Sequence, residues 1–81
     1  MIGVFSLGGM NLPDSIRAPL TQHLGRIERA EDLHALERAQ ERAEGFVEGV
    51  EAARALTAAS IEALFIAVDV AASERRQLLE A

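Results

Sequence analysis

Five glutamates, Glu37, Glu41, Glu44, Glu48 and Glu51, step by four and three along the segment LHALERAQERAEGFVEGVEA. On a helix this spacing gathers the carboxylates into one stripe. Paired carboxylates can hold a metal ion or exchange protons with a substrate. Here no histidine joins them at ligand spacing, and like charges one turn apart repel. The stripe therefore reads as a solvated face. Its functional alternative is an acidic strip recognised by basic residues of a partner, or one that imitates a phosphate backbone. His23 and His34 fall on different predicted helices, with no HExxH pattern and no Ser and Asp arranged as a triad around either. Arg54, Arg75 and Arg76 lie near predicted helix ends, where they suit pairing with carboxylates. Gly8-Gly9 lacks the lysine that a P-loop places after its glycines. No catalytic, cofactor-binding or metal-binding residues are predicted, and the chain is read as non-enzymatic.

Composition narrows the remaining classes. At 81 residues the chain has room for one small domain, whose single core gains from self-association or a partner. It contains no cysteine, which excludes disulfides and thiolate metal sites. The net charge is −5, and all eight basic residues are arginines. With fifteen alanines, that usage fits a high-GC genome. An acidic balance opposes general nucleic-acid binding, which draws its affinity from neutralised phosphates, and opposes anionic membrane surfaces. The opening MIGVFSLGGM is apolar, but it has no basic leader and is too short to span a bilayer. The expected location is the cytoplasm.

Three helices must position whatever surface does the work. Residues 1–11, with glycines at 3, 8 and 9 and no helical period, are expected to be an irregular apolar arm, a short strand or an arm gripping a neighbour being the alternative. Met10 could also be the true start of the chain. Residues 12–81 form one helical domain, with helices at about 13–29, 32–55 and 58–80. In the first, Asn11 or Leu12 takes the cap position, Pro13 fits the first turn and Asp14 suits the positive end of the dipole. Ile16, Leu20, Leu24 and Ile27 share a stripe, and Pro19 is expected to kink it. Asp32 caps the second helix, whose seam runs Leu36, Ala39, Ala43, Phe46, Val50 and Ala53, widened by Leu33 and Val47. Thr57 caps the third, with Leu56 and Ile61 placed to close a hydrophobic staple. Its seam continues through Ile61, Leu64, Val68, Ala71 and Leu78, interrupted at Arg75. So short a connection makes the second and third helices an antiparallel hairpin.

Two features of the hairpin ask for a purpose. Gly45 and Gly49 share a helix face with Ala53, and each interior glycine costs about 1 kcal/mol relative to alanine. Lacking Cβ, they would let a neighbouring backbone approach closely; helix one is the preferred neighbour and another molecule the alternative. The third helix is apolar on two sides. Ile66 and Val70, with Ala59 and Ala63 beside them, lie roughly opposite its seam. A helix apolar on both sides is either sandwiched inside the fold or offers a patch to a partner.

EAARALTAASIEAL, residues 51–64, resembles the helix-turn-helix of bacterial regulators. A recognition helix must carry base-reading and phosphate-binding side chains. From Thr57 to Ser73 there is no Arg, Lys, Asn or Gln, so the likeness is to the hairpin geometry. The longer run AEGFVEGVEAARALTAASIEALFIAV resembles a group of small uncharacterised helical proteins of high-GC Gram-negative bacteria and their mobile elements. Phe46, Gly49, Leu56, Thr57, Ile61 and Leu64 carry that likeness, which implies a helical-hairpin core and no catalytic residue.

The reading is an all-α protein of three helices, a kinked first helix packed on an antiparallel hairpin. It acts by contact with a protein partner or with itself, as a homo-oligomer, through Ala59, Ala63, Ile66 and Val70. Nucleic acid and membrane are not expected partners. The alternatives are an inhibitor of a host protein, encoded by a phage or mobile element, and a helix-turn-helix regulator.

Overall fold

Amphipathic stripes at helical spacing produce three helices in the computed structural model, which describes residues 11–81. They are α1 (Asp14–Glu28), α2 (Leu33–Ala52) and α3 (Ala58–Glu80), and each packs against the other two. The described residues include no strand. The expected arm lies, apart from Asn11, outside the described residues. Leu12, which follows it, is already part of the core.

α1 is held by its stripe. Ile16, Leu20, Leu24 and Ile27 are all buried. The cap differs from expectation: Pro13, in extended backbone with φ −61° and ψ 149°, is the N-cap and makes no side-chain bond. Its carbonyl accepts from the Ile16 and Arg17 amides, each at 2.9 Å. The helix is unbroken through Pro19. That proline deprives the Ser15 carbonyl of a donor, and Ser15 is exposed, where water can serve it.

α2 begins as its sequence demands, with the Asp32 carboxylate accepting from the Ala35 amide at 2.7 Å. It ends earlier than the seam suggests. Arg54 takes the left-handed conformation, φ 56°. The Arg54 amide donates to Glu51 at 3.0 Å and the Ala55 amide to Val50 at 3.4 Å. These are the two bonds of a Schellman closure, with an arginine where glycine is the usual occupant. Three residues later Thr57 caps α3, its Oγ1 accepting from the Ser60 amide at 3.1 Å. The turn is thus fixed at both sides. Leu56 packs on the core and Ile61 is buried, as a staple requires.

The core is apolar throughout, with no buried polar or charged residue among those described. Leu20, Ile27, Leu36, Val47, Leu64 and Val68 are its largest fully enclosed side chains. Two seam residues are displaced from expectation. On α2 the buried line runs through Val47, and Ala53 is exposed. On α3, Ala67 and Ala72 are buried, while Leu78 is 67% exposed. Leu33 is 41% exposed at the start of α2. Antiparallel pairing brings those two leucines to the same end of the hairpin. Arg75, the break in the α3 seam, closes that end: its Nε donates to the Ala30 carbonyl at 2.8 Å. Its partner is therefore a backbone oxygen rather than the expected carboxylate.

Candidate interaction surface

The α3 helix has one face in the core and one outside it. Ile61, Leu64, Ala67, Val68, Ala71 and Ala72 are buried. At 100° per residue, Ile66 falls opposite the centre of that set. It is 55% exposed. Ala59 is exposed, and Ala63 and Val70 are half-buried. The four residues singled out from the sequence therefore share the outward side, though only Ile66 presents a large apolar group.

A shallow groove of about 410 Å³ adjoins Ile66, with Ile61 and Phe65 in its lining and three carboxylates at its edge, Glu51, Glu62 and Asp69. Glu51 comes from α2, so the turn at Arg54 and Thr57 sets where this carboxylate stands relative to α3. Ala63 and Val70 lie outside the groove, on the other flank of Ile66. The surface is consequently asymmetric, acidic on one side and aliphatic on the other.

The glycine face turns out differently from expectation. A Cβ built on Gly45 or on Gly49 meets nothing within 4 Å. Both glycines are exposed, as is Ala53. Helix one is not seated on them. Instead the face borders an open groove of about 390 Å³, whose α1 wall is Ser15 and Ile16. The buried line of α2 passes through Leu36, Ala43, Val47 and Val50, which leaves the glycines outside the core, across an open groove from the start of α1. Gly25 is the tighter position: a Cβ there meets the Arg29 guanidinium at 2.9 Å.

The carboxylate stripe is solvated. Glu37, Glu41, Glu48 and Glu51 are exposed, and the half-buried Glu44 accepts from Gln40 Nε2 at 3.2 Å. No group of three or more metal-binding side chains occurs among the described residues. No described helix is long and apolar enough to cross a membrane.

One surface was not foreseen. Arg26 of α1 and His34, Arg38 and Arg42 of α2 line a groove of about 380 Å³, over a floor that includes Ala30, Ala35 and Ala39. The Asp32 carboxylate at its edge is engaged in capping α2. Its sequence signal is the four-residue spacing His34, Arg38, Arg42; the Arg26 contribution arises only when α1 packs on α2. Behind it, His23 is half-buried and its ring lies 5.3 Å from that of Phe46. Burial lowers its pKa from the ordinary 6.5, and the positive charges of Arg26 and Arg42 lower it further. His23 Nδ1 is buried without a hydrogen-bond partner.

A scan against protein-family models, a search of the curated proteins and a search of the solved structures each return no match for this chain.

Proposed function

We propose that this chain is a binding protein without catalytic activity, working by protein–protein contact through the outer face of α3 and associating with itself. The observation that carries this reading is Ile66. An isoleucine at 55% exposure, in a groove that also holds Ile61 and Phe65, is apolar surface that gains by being covered. Covering the half of this side chain that the fold leaves exposed contributes about 1 kcal/mol. Ala59, Ala63 and Val70 extend the face without adding bulk, which lets a partner lie close. The carboxylates Glu51, Glu62 and Asp69 at the rim then select partners that bring basic groups.

That rim also supports a second reading, in which the chain is an inhibitor from a phage or mobile element and occludes a basic or apolar groove of a host protein. A helix-turn-helix regulator draws no such support. Its recognition helix would be α3, whose exposed polar side chains include Glu62 and Asp69, and these repel phosphates.

The test replaces Ile66 and Val70 together by Asp and measures mass by light scattering, with circular dichroism as the control for folding. A folded species of lower mass than the wild type is expected. A folded variant of unchanged mass removes this face from self-association, and an unfolded one places the two residues in the core.

A further inference from the structure

We propose that the partner of the α3 face is the arginine-lined groove of a second copy of this chain, so that the contact is head-to-tail; this rests on the reading of the α3 face as the docking surface. The two surfaces are complementary in charge. Glu62, Ile66 and Asp69 stand on the exposed side of α3, the isoleucine lying between the two carboxylates along the axis and beside them around it. Seven helical residues separate the carboxylates by about 10 Å along the axis. The groove between α1 and α2 offers the counterpart. Its alanine floor has room for an apolar side chain, and Arg26, Arg38 and Arg42 stand around it. Arg38 and Arg42 are one turn apart, about 6 Å along the axis, and their long side chains reach both carboxylates of a helix laid across the floor.

A symmetric contact of α3 against α3 is disfavoured by the same charges. A two-fold axis sets the same patch on both sides. It would bring Glu51, Glu62 and Asp69 of one copy to those of its partner, in a chain whose net charge is already −5. Pairing unlike surfaces removes that repulsion. It also leaves one free α3 face and one free groove on every pair, so association continues beyond a dimer or closes into a ring.

The experiment is sedimentation over a concentration and salt series. The proteins are the wild type, Arg38→Glu with Arg42→Glu, Glu62→Arg with Asp69→Arg, and an equimolar mixture of the two variants. Circular dichroism verifies folding. Should the groove reversal fail to fold, Arg38→Gln with Arg42→Gln takes its place in the single-variant comparison. The wild type is expected to grow in mass with concentration, past a dimer, and to dissociate as salt rises. Each variant alone should self-associate at least about tenfold more weakly. Their mixture should regain the wild-type behaviour. A groove variant that associates like the wild type overturns the head-to-tail contact while leaving the α3 reading intact. So does a mixture that stays monomeric. A wild type that is monomeric throughout, or whose association survives Ile66→Asp with Val70→Asp, overturns the α3 self-association reading as well.

Discussion

The outward sides of α2 and α3 are both exposed and both lack long polar side chains over part of their length, yet they present opposite surfaces. On α2 it is nearly bare backbone: Gly45, Gly49 and Ala53 face an open groove. On α3 it is aliphatic bulk, with Ile66 at 55% exposure. A partner resting on the glycines alone would remove little apolar area from water, because the apolar atoms of that groove belong to Ile16, Phe46 and Val50, which are buried or half-buried in its walls. A partner covering the α3 face removes an isoleucine side chain. The contrast therefore lies in where the apolar atoms stand: α3 raises an exposed side chain that a partner can enclose, whereas α2 leaves a recess whose apolar walls a partner must reach into. A small-residue spacing announces how near a neighbour can come and says nothing of whether one does.

The sharpest way to break this contrast is to compare the two sides of α3 itself. Leu64 is fully buried, and Leu64→Ala is expected to cost about 2–5 kcal/mol in denaturant unfolding. Ile66→Ala, made on the opposite side and measured on dilute protein, is expected to change stability by less than about 0.5 kcal/mol. Equal losses at the two positions would mean that both sides of α3 are core.

Next in size is the end of the hairpin. Removing the guanidinium in Arg75→Met leaves the Ala30 carbonyl without its donor beside a buried residue. A loss of about 1.5–3 kcal/mol is expected by the same measurement. No loss would show that water replaces the arginine and that this contact does not hold α3 to the α1–α2 connection.

The glycine face gives a smaller effect of opposite sign. With nothing within 4 Å of a Cβ at either position, Gly45→Ala and Gly49→Ala are each expected to stabilise the fold by about 1 kcal/mol, through helix propensity alone. A drop in melting temperature would mean that a backbone does sit on this face, within the chain or across an interface.

The least effect concerns acid. His23 has a pKa below the ordinary 6.5 in the folded chain, through burial first and then through Arg26 and Arg42. It therefore binds protons less readily folded than unfolded. The stability gained by keeping it neutral is present above about pH 6.5 and is lost as the pH falls towards the folded value. His23→Gln should flatten that decline in melting temperature. An unchanged acid profile would assign the decline to other groups.

How much of this is legible in the sequence varies with the range of the interaction. Both capping side chains, Asp32 and Thr57, are local signals and sit where their spacing places them. The end of α2 is not legible, because the left-handed turn falls on Arg54, which has no propensity for it, and tertiary closure of the hairpin imposes it. The seam residues Leu36, Ala43, Val50, Leu64 and Val68 are readable from periodicity. Leu78 and Ala53 follow the same periodicity and are exposed, because periodicity does not say how far along an axis the neighbours reach. The outward position of Ile66 can be read from the wheel. The arginine groove cannot, because Arg26 and Arg42 are sixteen residues apart and only the packing of α1 on α2 brings them together.

The central claim is that the outer face of α3 is covered when the protein works. The chain has no cysteine, so a single one introduced as Ile66→Cys or as Glu37→Cys reports its own position. Thiol labelling rates across a protein dilution series give the most direct reading. The position-66 thiol is expected to react more slowly in concentrated than in dilute protein, while the position-37 thiol keeps one rate throughout. A position-66 rate that stays constant across the dilution series would contradict the account.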